Sequence, residues 1–184
     1  MITASRMFSV VVCGALFAAT GARAQNLMQN PDFEDRLNFW EYGPPDQVSW
    51  TNTVDYRTPY SGVPGSMVLD SSRGPVLALQ RLPVLDSVDY VATMQVQSHC
   101  PGQTLNVFFT DASCAPGTTF ISGASTHADE WDGVAFVAHP TAGAQCAVVV
   151  VEDATGCTMP TYVDDVVFQF DAIFANGFEP PIHP

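Results

Sequence analysis

Val91-Ala92-Thr93-Met94-Gln95-Val96-Gln97 alternates residue by residue: Ala92, Met94 and Val96 are apolar, while Thr93, Gln95 and Gln97 are polar. A period of two puts the apolar set on one side of a strand and the polar set on the other, so this segment predicts a β-strand with one covered face. Working outward, Leu105-Asn106-Val107-Phe108-Phe109 repeats the pattern, and Gly, Pro, Ser and Asp fill the gaps between such runs. Strands are predicted over 47–55, 66–70, 76–82, 89–97, 104–110, 117–122, 131–138, 146–152 and 161–170. No window carries a 3.6-residue apolar stripe of useful length. Many short strands separated by turn signals predict an all-β antiparallel sandwich or barrel rather than a βαβ fold. Ala147 to Val151 is apolar at every position, which predicts a strand covered on both faces, whereas Thr93, Gln95 and Gln97 form a polar stripe. Two sheets with one partly open face satisfy both.

The first 24 residues hold one early basic residue, Arg6, an apolar run from Met7 to Ala19 and the small-residue stretch Thr20-Gly21-Ala22-Arg23-Ala24. This order predicts a signal peptide over 1–24: the apolar run falls short of the ~20 residues that span a bilayer, and Ala22-x-Ala24 supplies a cleavage site. One domain over 25–170 and a proline-containing C-terminal tail over 171–184 complete the expected organisation. Without Arg6 and Arg23 the chain keeps four arginines and no lysine against 19 acids, a net charge of −15. Nucleic acid and anionic membrane surfaces are disfavoured as partners, because both need a basic face, and no second long apolar segment predicts membrane insertion. Cys100, Cys114, Cys146 and Cys157 remain after cleavage. An even count in an exported chain predicts two disulfides, and the absence of any Cys-x-x-Cys disfavours zinc. The expected pairs are Cys100–Cys114 and Cys146–Cys157, each taken to bracket adjacent antiparallel strands.

Asn26-Leu27-Met28-Gln29-Asn30-Pro31-Asp32-Phe33-Glu34, followed by Leu37 and Phe39-Trp40, resembles the opening of the carbohydrate-binding modules of families 4, 9 and 22, the cellulose- and xylan-binding type. Tyr60-Ser61-Gly62 with Gly65-Ser66-Met67-Val68-Leu69, then Ala78 to Val84 before Tyr90, Glu130-Trp131, and Tyr162-Val163-Asp164-Asp165-Val166 resemble the family's later blocks in the same order. The resemblance implies a jelly-roll β-sandwich of the galactose-binding type. It also implies a structural calcium ion held by Glu34 and Asp164 with backbone carbonyls, and core positions for Trp40 and Trp131. Asp32 departs from the family, which usually has glycine there, and Val63-Pro64 is an insertion after Gly62.

Trp50 matches no core position of that pattern and stands with Tyr56 among Ser49, Thr51, Asn52 and Thr53. A sugar stacks its C–H face on an aromatic plane while polar side chains bind its hydroxyls. Trp50, Tyr56, Gln95, Gln97, Asn106 and Phe108 are therefore the expected polysaccharide contacts, with Trp50 as an exposed platform. The four histidines are scattered, and neither a Gly-x-Ser-x-Gly elbow nor a His-Glu-x-x-His motif occurs, so no enzyme is expected. Asp129, Glu130 and Asp132 read as a solvated turn. The chain reads as a non-catalytic, glycan-binding protein, bacterial and either secreted or periplasmic. The alternative is a structural or adhesive sandwich that binds other proteins.

Overall fold

The computed structural model describes residues 25–54, 56, 65–115, 117 and 119–171. The expected signal peptide, and all of the expected tail except Asp171, lie outside these residues. Ten strands are present: β1 (Glu41–Gly43), β2 (Val48–Thr51), β3 (Ser66–Leu69), β4 (Val76–Pro83), β5 (Tyr90–Gln97), β6 (Thr104–Thr110), β7 (Ile121–Ala124), β8 (Trp131–Ala138), β9 (Cys146–Asp153) and β10 (Thr161–Phe170). They form two five-stranded sheets, β1-β4-β9-β6-β7 and β2-β3-β10-β5-β8, and every neighbouring pair is antiparallel. The protein is an antiparallel jelly-roll β-sandwich, as the alternating pattern and the resemblance predict.

In β5, Tyr90, Ala92, Met94 and Val96 are buried against the opposite sheet while Val91, Thr93, Gln95 and Gln97 face outward and are half-buried. β9 is buried at seven of its eight positions. It lies in the middle of the first sheet between β4 and β6, and the loop after β6 reaches back over its outer side, where the Cys114 carbonyl accepts the Arg81 Nε–H at 3.2 Å. That cover explains how Val148, in outward register beside Phe108, is fully buried.

The amino-terminal segment runs along β10. Leu27 donates its N–H to the Phe168 carbonyl at 2.7 Å, Val166 donates to the Pro31 carbonyl at 2.9 Å, and the Asn26 side chain bonds both Val166 and Phe168. The contacts fall where β10 shifts register against β5, between Asp164 and Val167. Asn30 organises the turn that follows by accepting the Asp35 N–H and donating to the Arg36 carbonyl. Phe33 and Trp40 then enter the core together, ring centroids 5.2 Å apart, so the expected core role of Trp40 holds.

The disulfides correct the expected pairing. Cys100 is bonded to Cys157 and Cys114 to Cys146. Cys100 and Cys114 flank the two ends of β6, a seven-residue strand about 23 Å long. Cys146 and Cys157 likewise stand at opposite ends of β9. No disulfide spans such a length, since bridged Cα atoms lie within about 7 Å. Because β6 and β9 pair antiparallel, the start of one meets the end of the other, and the bridged Cα atoms are 5.9 and 5.4 Å apart.

Candidate functional site

The outer face of the second sheet carries the candidate site. β5 lies between β10 and β8, and the register sets Tyr162 on one side of Gln97 and Trp131 on the other. The next rung is Asp164, Gln95 and Gly133. Strand neighbours sit about 5 Å apart, so the row Tyr162–Gln97–Trp131 presents two aromatic side chains with an amide between them. Tyr56 adds a third ring, edge-on to Trp131 at 5.5 Å. Among the described residues no hydrogen bond engages the Gln95 or Gln97 side chain, the Trp131 indole N–H or the Tyr162 hydroxyl. The Gln95 amide lies over Gly133, where a Cβ would stand 3.5 Å from it, in ordinary contact.

The row opens at one end into a cavity of about 140 Å³, walled by Gln97, Ser98 and His99 from the end of β5, by Met159, Pro160 and Tyr162 from the entry to β10, and by Asp129. A pocket that engulfs a drug-sized ligand has about 300 to 1,000 Å³, so this one seats part of a ring and leaves the rest on the surface. The His99 Nδ1 and Asp129 Oδ1 are 2.7 Å apart at its rim. Asp129 takes a left-handed φ of 63°, which aspartate tolerates, and its N–H is held by the Ser98 carbonyl at 2.8 Å.

Asp132 fixes the entry to β8. Burial pushes its carboxyl up, but the backbone N–H groups of Thr126 and His127, together with the His127 imidazole, outweigh burial and hold it down at about 2. Of the acids read as a solvated turn, Asp129 and Glu130 are exposed, while Asp132 organises the loop that presents Trp131.

The expected contact set does not assemble on one surface. Gln95, Gln97 and Tyr56 share the second-sheet face. Asn106 and Phe108 project from the outer face of the other sheet, on the far side of the sandwich, with Phe108 packed against Phe120 at 5.1 Å. Trp50 is on neither. It pairs with Met67 in inward register, packs against the core, donates its indole N–H to the Phe33 carbonyl at 2.7 Å and carries the Arg36 guanidinium over its ring at 5.6 Å. The exposed platform expected of Trp50 is overturned, and Trp131, expected in the core, lies on the outer face. Trp131 and Tyr162 are the residues of this row that sequence reasoning did not name as candidate contacts. For Trp50 a usable signal existed: Val48 and Trp50 alternate with Ser49 and Thr51, so the period of two already sets Trp50 beside a core valine.

Of the acids expected to hold calcium, Asp164 is buried and its two oxygens accept the N–H groups of Asp165 at 2.7 Å and Tyr56 at 3.1 Å. Glu34 is half-buried in the amino-terminal turn that the Pro31–Val166 bond brings against β10. No three histidine, cysteine or acidic side chains cluster as a metal site among the described residues. The Phe33 carbonyl already accepts from Trp50 and Arg36. Two carboxylates supply at most four of the six to eight oxygens calcium takes, so the acids fit such an ion only with further carbonyls or water.

No protein-family model and no curated protein matches the sequence. Solved structures do match the fold. The chain superposes on the family 61 module TmCBM61, solved in complex with β-1,4-galactotriose, with a TM-score of 0.56 at 15% identity, over 78% of this chain and 97% of that one. It superposes on the CBM22-1 xylan-binding domain of Paenibacillus barcinonensis Xyn10C with a TM-score of 0.58 at 14% identity, over 80% and 95%. The fold is the jelly roll that these modules share. The same jelly roll recurs in the enzymatically active domain of bacteriophage CBA120 tailspike protein 4, with a TM-score of 0.63 at 13% identity over 79% of this chain, which spans 21% of that one. Family 22 is among those the sequence motifs point to, and families 61 and 16 share the architecture.

Proposed function

We propose that this is an exported, non-catalytic carbohydrate-binding protein that takes a neutral polysaccharide along the outer face of the second sheet. The row Tyr162–Gln97–Trp131 carries the proposal: rings for the apolar faces of sugars, and uncommitted amides at Gln95 and Gln97 for their hydroxyls. The shallow cavity suits a chain laid on a surface. Two disulfides support export to an oxidising compartment. A net charge of −15 after loss of the leader opposes acidic glycans at low salt. The protein-contact alternative is less favoured, because the most exposed apolar side chains, Phe39, Leu85, Met159 and Phe120, belong to four different loops.

Affinity electrophoresis in gels containing soluble xylan, β-1,4-galactan or hydroxyethyl cellulose tests it. At least one should retard the wild type, and Trp131→Ala and Tyr162→Ala should abolish that retardation while melting within a few degrees of it. Retardation that survives both variants removes the site from this face. One observation favours a second location: Asn106 Oδ1, on the first sheet, is buried without a partner among the described residues, and buried polar atoms are rarely left so. Loss of binding in Asn106→Ala, with Trp131→Ala unaffected, would move the site there.

Calcium held by Glu34 and Asp164 is the companion proposal, supported by the burial of Asp164 beside the amino-terminal turn. Its role would be to tie that turn to β10. At a free ion concentration 100 times Kd, linkage adds about 2.7 kcal/mol, several degrees of Tm. An identical Tm in EDTA and in calcium chloride, with Glu34→Gln indifferent to both, would dispose of the ion.

A further inference from the structure

We propose that the Cys100–Cys157 disulfide and the buried polar network beneath it are a positioning element of the glycan site, a role that rests on the site assigned above. The cavity has two main walls. One is the end of β5 with the start of its crossover, Gln97 to His99; the other is the crossover from β9 into β10, reaching Met159 and Pro160. β5 and β10 are neighbours in the second sheet, but each of these loops leads to or from the first sheet, so sheet pairing alone does not fix the distance between the loops. The disulfide joins them directly, one residue past His99 and two before Met159.

Below the bridge, Gln103 is fully buried, and the two N–H groups of its Nε2 are shared among the Cys100 carbonyl at 2.6 Å, Ser98 Oγ at 3.0 Å and Thr161 Oγ1 at 3.2 Å. Its Oε1 accepts the Ser125 hydroxyl at 2.7 Å. Thr161 Oγ1 in turn bonds Asp153 Oδ2 at 2.7 Å, and Asp153 Oδ1 takes the Thr155 hydroxyl, also at 2.7 Å. The network touches a residue on each side of both crossovers, one residue of the cavity wall, Ser98, and Thr161, which stands in sequence between the wall residues Pro160 and Tyr162. Such networks lock geometry when every member is satisfied. The second disulfide, Cys114–Cys146, closes the opposite end of β6 and β9 and touches no wall of the cavity. It provides an internal control, since it removes a comparable amount of unfolded-chain entropy.

The test compares Cys100→Ser/Cys157→Ser with Cys114→Ser/Cys146→Ser. At a temperature where both are folded by circular dichroism, affinity for the polysaccharide that retards the wild type should fall about tenfold in the first pair and within about twofold in the second, a coupling of ordinary size. The wild-type protein gives a reading that needs no variant. Because coupling is reciprocal, that polysaccharide at saturation should shift the reduction equilibrium of Cys100–Cys157 in a dithiothreitol redox buffer towards the disulfide by about the same factor, and leave that of Cys114–Cys146 unchanged, as followed by thiol labelling and mass spectrometry. Equal affinity in the two pairs, or equal protection of the two bridges, overturns the positioning role while leaving the glycan site intact. A wild type retarded by none of the three polysaccharides removes the site and this role together.

Discussion

The two tryptophans that exchange places show what a residue's neighbours in sequence do and do not reveal. Trp50 sits among Ser49, Thr51, Asn52 and Thr53, a polar setting that reads as exposed, yet in a strand the relevant neighbours are at i±2, and Val48 is buried. Replacing Trp50 by alanine would strip a large half-buried ring from the core edge and orphan the Phe33 carbonyl from its 2.7 Å donor. The expected cost is about 2 to 4 kcal/mol, with Trp50→Phe recovering most of the packing but losing the hydrogen bond, worth about 1 kcal/mol. Urea denaturation of the two variants measures the split. A Trp50→Ala protein as stable as wild type would return this ring to the surface. Trp131 carries no equivalent signal. Trp131, Gly133, Ala135 and Val137 form one stripe of β8, and Asp132, Val134, Phe136 and Ala138 form the other, and both stripes are mixed. Only pairing with β5, where Gln97 faces outward, settles the direction.

At the level of elements, period-two alternation carried nearly everything. β3 to β6 and β8 to β10 fall within a residue of their predicted bounds, because each has a clean apolar face. β1, three residues long, left no pattern to read, and the strand expected over 117–122 begins at Ile121, where pairing with β6 at Val107 starts. Which sheet each strand joins was not legible, since alternation says that a face is covered but not by what. The turn into β8 shows the same limit: Asp132 looks like one of three solvent acids, but it gathers the N–H groups of Thr126 and His127 and the His127 ring. Its folded value of about 2 lies below the usual carboxylate value near 3.9. A lowered value stabilises the fold above the unfolded one, so the contribution is complete above about pH 4 and is lost as pH falls towards 2. Thermal melts of wild type and Asp132→Asn should therefore differ most at neutral pH and converge below pH 3. A gap that stays constant from pH 7 to pH 2 would mean that the carboxylate charge does not hold this turn.

For the whole molecule, the disulfides and the aromatic row share one origin in topology. The order β1-β4-β9-β6-β7 makes β6 and β9 antiparallel neighbours although 35 residues separate Thr110 from Cys146, and this adjacency, invisible in the sequence, turns two short expected loops into two long ones. The order β2-β3-β10-β5-β8 likewise sets Tyr162 and Trp131 on either side of Gln97, so of the candidate site the polar stripe of β5 and Tyr56 were legible and the two flanking rings were not. The corrected pairing raises the stakes of oxidation. The bridged cysteines are 57 and 32 residues apart, so in the chain-entropy model each bond removes about 4 kcal/mol of unfolded-state freedom. A domain of this size has a net stability of only about 5 to 15 kcal/mol. Losing both bonds, about 8 kcal/mol, would consume most of it, even with a continuous core of valines along β9. Non-reducing peptide mapping should recover Cys100–Cys157 and Cys114–Cys146, and dithiothreitol should then move the urea midpoint towards zero. Reducing one bond at a time should give two partial losses that add, because the bridges close opposite ends of the sandwich and share no contact. If the fully reduced protein keeps the urea midpoint of the oxidised one, the sandwich is held by its sheets alone and the crossovers need no staple.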